Sequence, residues 1–525
     1  MASSSSTRAV VERNTTMKTS PLLAVFSLAA ALAAPSAATQ RNGKLVIEAG
    51  RILTQAGPDI ENGRIVIEGG RITAIGKSDE VAKPWDATVI GGAQYTAFPG
   101  FIEAHTSQGL DRANENIDVA PFLDIRDSID PVAYFFEDCL RYGVTTVNVQ
   151  QGANCVVGGR GMIVRPFGMT VEEMAMRTTF GMKLSLRPKS GKSRATQMQA
   201  LRFAFDDLKG YLEGLVEKER DEQGYAKREA LFQGRDLEAE KAEGRAMTNS
   251  AWKVEGLELI PRGALDERYA SLLELLEGRY TAFLHCSDPL DVAHALDVAR
   301  ANGILAKTVL VIEEDCWKAA DLISEAGVPV VLEGALVDVQ RDPITGKEIE
   351  TFTPGVLQAK GIRFALSSED PNTRAPAYQA ALAIVRGLER SVALDAVTRV
   401  PAEILGLGNE VGSLEKGKLG NVLLFSGDPL SITSWVEHVV IEGQAVYDRS
   451  KDVRNRQLLE GVQPPNTAPP SAAEAGKDPE HEGEKGEKTD AEHGNDKQTG
   501  DDKDKGDKDK KDDVKEKEEK KEGGR

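Results

Sequence analysis

Histidine and cysteine are scarce in this chain, with six and four among 525 residues, and aromatic residues make up only 5%. The cysteines, Cys139, Cys155, Cys286 and Cys316, form no Cys-x-x-Cys pair. That spacing argues against a zinc ribbon or a dithiol redox centre. Their scatter through a large folded region predicts buried thiols without a bridge. Of the histidines, His481 and His493 lie in a charged C-terminal run, His294 falls mid-helix and His438 within a strand. Only His105 and His285 stand beside strand ends, so an imidazole-rich two-metal centre cannot be assembled. Past the first forty residues no apolar run is long enough to span a bilayer, so the mature chain is not membrane-spanning. The formal charge of −18 would repel a phosphate backbone, which excludes nonspecific nucleic-acid binding. No repeat of solenoid or propeller period is present.

What is abundant marks the ends of the chain. Met17-Lys18 opens a charged start, Pro21 to Ala34 is apolar, and Ser36 and Ala38 are placed for cleavage before Thr39. This layout predicts a signal peptide over residues 1–38, with Met17 as the true start, and an exported protein, periplasmic or secreted. From Gln463 the sequence turns to Pro, Ala and Ser, then to a dense Lys/Asp/Glu/Gly run. With almost nothing to bury, residues 463–525 are expected to be a disordered, solvated tail of mixed charge.

Between the ends, hydrophobic residues at 40% of the chain suffice for a large core, and many of the 50 glycines punctuate short strands. Residues 43–96 read as strands (44–48, 63–70, 71–76), and β-rich stretches return at 423–425 and 436–447. We expect one small β-sandwich domain built from both ends, residues 43–96 and 406–450. The middle, residues 97–405, alternates strand-like and helix-like stretches, the pattern of βα units and a parallel sheet. Candidate strands are 97–104, 145–150, 281–285, 308–312, 328–332 and 362–367, with helices at 289–301 and 315–326. A charged helical insertion is expected over about 205–260; its apolar-poor part, 213–243, reads as a surface helix pair or a mobile segment.

Five stretches together resemble the amidohydrolase superfamily, and within it a branch similar to imidazolonepropionase-like amidohydrolases. They are Phe98-Pro-Gly-Phe-Ile-Glu-Ala-His105-Thr-Ser107, the loop 152–161, Leu284-His285-Cys286 with the helix after it, residues 362–371, and 401–418. The resemblance covers roughly residues 43–450. It implies an α/β fold with a (β/α)8 TIM-like barrel, and hydrolysis of carbon–nitrogen bonds, other than peptide bonds, in a small amide-type substrate. Metal-activated water would attack, and an aspartate on the last strand would move the proton.

The family's ligands are paired histidines on the first strand, a bridging carboxylate or carbamylated lysine, two later histidines and that aspartate. Here His105 matches, but Ser107 replaces its partner. Residues 181–188 fall where the branch has Gly-Glu, so the expected carboxylate is missing. His285 matches, Ile312 or Glu313 stands at the next histidine position, and Glu369 stands at the aspartate beside Asp370. The resemblance therefore implies a reduced site: His105 and His285 as metal ligands and Glu369 as the catalytic base. One divalent metal, zinc first, or none at all would complete it. The rival reading is a catalytically inactive barrel kept as an exported binding or scaffold protein. Asp370 reads as the cap of the Pro371 turn, and Glu369 could instead pair with Arg374. The loop 158–161 is either an anion cradle or a tight turn. A homo-oligomer is compatible with the sequence and not required by it.

Overall fold

The computed structural model describes residues 43–232 and 247–461, without the side chains of 225–232 and 460. The signal peptide, the charged tail with His481 and His493, and part of the helical insertion lie outside the described residues.

The first strands are β1 (Lys44–Ile52), β2 (Ile60–Glu68), β3 (Arg71–Lys77) and β4 (Thr88–Pro99). Gly100 breaks the chain between β4 and β5 (Phe101–Thr106), dividing the single strand expected over 97–104. A Cβ at Gly100 would collide with the Thr145 side chain, so the break is a place of close approach. Next come β6 (Val144–Val149), β7 (Val157–Arg160), β8 (Met162–Val164), β9 (Ala175–Arg177), β10 (Gly181–Ser185), β11 (Thr281–Cys286), β12 (Thr308–Ile312) and β13 (Val330–Leu332). A hairpin of β14 (Val337–Arg341) and β15 (Glu348–Phe352) precedes β16 (Phe364–Leu366). The chain returns through β17 (Val422–Phe425), β18 (Val436–Ile441) and β19 (Gln444–Asp448).

Strands from the two ends do pair. They form one seven-stranded sheet, ordered β19-β18-β17-β4-β1-β2-β3, rather than two separately bonded layers. The stretch expected as one strand over 436–447 is a hairpin, because Glu442 and Gly443 adopt positive φ and turn the chain.

The middle is a mixed α/β layer system. Strands β10, β11, β12, β13 and β16 run parallel, with helices such as Pro289–Ala301 and Ala320–Ala326 between them. Asp288 caps the first of these helices by accepting from the Leu290 N–H, and Pro289 opens it. The ladders make two arcs, β16-β13-β12-β11-β10-β7 and β5-β6-β8-β9, not a closed ring of eight. Between β16 and β5 the backbone bonds go instead to residues 396 and 397: Leu366 N–H donates to Ala396 O and Ile102 N–H to Val397 O.

Alternation along these strands assigns two faces. Met182, Leu184, Leu284, Leu310, Ile312 and Leu366 belong to the large core that the helices cover. Ile102, Ala104, Ile163, Phe283, Val311, Val331 and Ala365, drawn from both arcs, share a second core. Lys183 and His285 have the strand parity of this second face.

Candidate active site

The C-terminal ends of these strands surround a cavity of about 260 Å³, lined by His105, Ser107, Lys183, Arg187, His285, Glu313, Glu333 and Glu369 among others. His105 and His285, both expected at the site, are brought together here and are buried.

The cavity holds two groups that the sequence reading missed. Lys183, in mid-strand β10, is fully buried, and its Nζ lies 2.7 Å from His105 Nε2. Glu333 follows β13 and bonds His105 Nδ1. A carboxylate only accepts, so Nδ1 carries the imidazole proton. A neutral His105 then offers its Nε2 lone pair to an N–H of Lys183. The result is a continuous chain from Glu333 through His105 to Lys183. A lysine inside the otherwise apolar run Met182-Lys-Leu was the available signal. Nothing local distinguishes Glu333 from the many carboxylates in this acidic chain.

Burial pushes the Lys183 and His105 pKa values down, and the Glu333 carboxylate opposes both shifts. Glu333 would be raised by its own burial, but His105 and the Lys183 charge hold it down at about 2. His285 is lowered to about 3, by burial first and by Lys183 second, so it is neutral near pH 7. Its Nε2 is 3.7 Å from Glu333 Oε2 and 3.8 Å from Glu313 Oε1, and its buried Nδ1 has no hydrogen-bond partner. Glu313 is raised by burial, opposed by Arg187, whose guanidinium is 3.4 Å away.

Glu369 lines the same cavity with its backbone at φ 52°, a left-handed conformation rare for a non-glycine residue. Its carboxyl is raised by burial and by Glu333, and stands 3.9 Å from Arg374. Thr106 Oγ1 holds its carbonyl at 2.7 Å. Asp370 accepts from the Asn372 N–H and caps the turn at Pro371.

Glu103, buried outside the cavity lining, is another group absent from the expected site. It accepts from Ser367 Oγ at 2.6 Å, from the Ser368 N–H at 2.8 Å and from Ser368 Oγ. Burial raises its pKa to about 7 against these bonds. Glu103 thus ties the end of β5 to the segment that presents Glu369.

The donors do not fit the metal that the sequence resemblance implies. Both His105 nitrogens are taken, one by a carboxylate and one by an amine, and an ion at Nε2 would have to displace Lys183. Ile312 faces the outer core, so no second late-strand imidazole arrives. Among the described residues no three His, Cys, Asp or Glu groups are placed to hold an ion. Cys286 and Cys316 are buried free thiols, with Cys316 Sγ directed at the Cys286 carbonyl. The loop 158–161 is neither cradle nor turn. It is largely strand β7, where a Cβ at Gly159 or Gly161 would strike Leu123 or Gln150.

No family model matches the sequence, and no curated protein matches it significantly. Solved structures do. An amidohydrolase from Thermotoga maritima aligns over 77% of this chain and all of its own length, at 23% identity and a TM-score of 0.60. A zinc-bound adenosine deaminase from Xanthomonas campestris (17% identity; 80% of this chain, 100% of its own; TM-score 0.41) and a molinate hydrolase (15%; 77% and 95%; 0.42) align more loosely. The first of these likenesses establishes the architecture: this chain is built on the amidohydrolase fold.

Proposed function

We propose that the chain is an exported hydrolase of carbon–nitrogen bonds in small amide-type molecules, acting in the cavity around His105, Lys183, His285, Glu333 and Glu369. The observation that carries this reading is the burial of a lysine, a glutamate and two histidines together at the strand ends. Burying such groups costs several kcal/mol each unless they are paired, and folds keep such clusters mainly at functional sites. We read the two strand arcs as one barrel wall, because inward residues of both share a single core. Its C-terminal face is where a barrel carries its chemistry.

At about 260 Å³ the cavity lies just below the usual range of roughly 300–1,000 Å³, which favours a small substrate. Glu369, with a raised carboxyl at the cavity wall, is the group to take the proton of an attacking water. Neutral His285 and Glu313 flank the place where the carbonyl would lie. Metal-activated water, which the resemblance implied, is not part of this reading, because the donors are committed elsewhere.

The test is turnover. The purified chain is offered cyclic imides, cyclic ureas and N-acyl amino acids, with ring opening or amine release followed by NMR, and Glu369→Gln as control. Hydrolysis that collapses in the control supports the reading; a folded protein that turns over none of them sinks it. Ser107 and Ile312, which stand where the family has ligands, favour a second reading as a binding or scaffold protein. Saturable binding of these compounds without turnover would select it.

A further inference from the structure

We propose that the side-chain ammonium of Lys183 is the resident cation of this centre and stands in the place of a divalent metal. The inference rests on the reading of the cavity as the working site, and it follows from the misfit of the donors. Glu333 is buried, and an ionised buried carboxylate needs a cation near it. Among the described residues lining the cavity only Lys183 and Arg187 carry positive charge. Arg187 is half exposed at the mouth and faces Glu313. Lys183 alone is inside, 2.7 Å from the imidazole nitrogen that would otherwise face an ion.

The geometry accounts for each lost ligand. His105 Nε2 accepts one of the three N–H bonds of the Lys183 ammonium, and Glu333 on the far side of the same imidazole offsets its charge. A divalent ion would require more donors, and Ser107 and Ile312 are not among them. The hydrogen-bond order follows as well: Glu333 accepts from Nδ1–H, and Nε2 accepts from the Lys183 N–H.

The experiment measures metal, not turnover. The full-length chain is purified without chelators, its Zn, Mn and Fe content determined by elemental analysis, and the protein titrated with Zn²⁺ in a calorimeter. The same is done for Lys183→Ala and Lys183→Met, with folding checked by thermal melts. The wild type is expected to carry no stoichiometric ion and to show no saturable Zn²⁺ binding. Lys183→Ala, which frees His105 Nε2 in the cavity that His285, Glu313 and Glu369 also line, is expected to gain one Zn²⁺ site that disappears when His105→Ala is added. Lys183→Met, which fills the space, is expected to gain none.

A wild type holding a stoichiometric ion that both variants lose would overturn the inference, because Lys183 would then support a metal rather than replace it. Absence of Zn²⁺ binding in a folded Lys183→Ala would overturn the replacement equally. These outcomes are separable from the hydrolase reading. A metal-free protein without turnover fails only that reading, whereas turnover that needs a bound ion fails only this inference.

Discussion

His105 is held between opposite charges, with Glu333 on its Nδ1 and Lys183 Nζ 2.7 Å from its Nε2. The three residues come from β5, the end of β13 and β10, so this link joins three separate parts of the fold.

Removing one charge strands the other. Glu333→Gln should destabilise the chain by about 3–5 kcal/mol, as breaking a buried pair usually does. Lys183→Met should also cost several kcal/mol, while the double variant should lose clearly less than the sum of the two. Chemical denaturation of all four proteins measures the coupling; additive losses would show that the charges do not depend on one another.

Glu369→Gln keeps the shape of the side chain and removes its proton acceptor. Turnover of any substrate found should fall by roughly 10²–10⁴-fold with an unchanged melting temperature. Glu369→Gly should raise stability by about 1 kcal/mol through relief of the positive φ, while losing the same activity. Equal activity in wild type and Glu369→Gln would remove this residue from the mechanism.

A third prediction concerns Asp452, far from the cavity. This nearly buried carboxylate takes the Arg141 guanidinium at 2.8 Å and Tyr447 OH at 2.9 Å. Burial opposes ionisation, but these bonds prevail and lower its pKa to about 2 from an ordinary 3.8. A depressed folded value means the stabilisation is complete above pH 4 and is lost as pH falls from about 4 toward 2. Its size is on the order of 2 kcal/mol, at about 1.4 kcal/mol per pKa unit. Acid titration of stability should show that loss in the wild type and a shallower slope in Asp452→Asn.

Gly100→Ala should destabilise by about 1–3 kcal/mol, because its Cβ meets the buried Thr145 at the break between β4 and β5. Gly100→Ala combined with Thr145→Ala should recover much of that loss in a thermal melt; no recovery would place the strain elsewhere.

Glu103→Gln tests the link between β5 and the segment that presents Glu369. The group binds its proton more tightly when folded, with a pKa near 7, so its contribution weakens as pH rises from about 4.5 to 7. The variant should lose that slope. An unaltered stability–pH profile would mean that Glu103 stays ionised throughout.

Much of this protein was legible along the chain. Helix 289–301 follows from Asp288, Pro289 and an alanine-rich run, and β12 from five residues of strand preference; both occur where expected. His105 and His285 could be marked because strand-end histidines are few. Local signals of this kind depend on neighbours in sequence, so periodicity and turn residues report them.

The site was only half legible. Lys183 was passed over because its position was judged by the carboxylate it lacked. Glu333 was passed over because a glutamate after a short apolar strand is an ordinary surface residue until packing brings it to His105, 228 residues away. The return of β17 against β4 and the approach of Glu103 to Ser367 and Ser368, 264 residues or more away, are likewise decided by packing. Strand pattern determined that an α/β chain with a parallel sheet would form and where its polar strand ends would fall. Only the tertiary structure decided which charges meet there, because the energy of a buried ion depends on its partner and not on its place in the sequence.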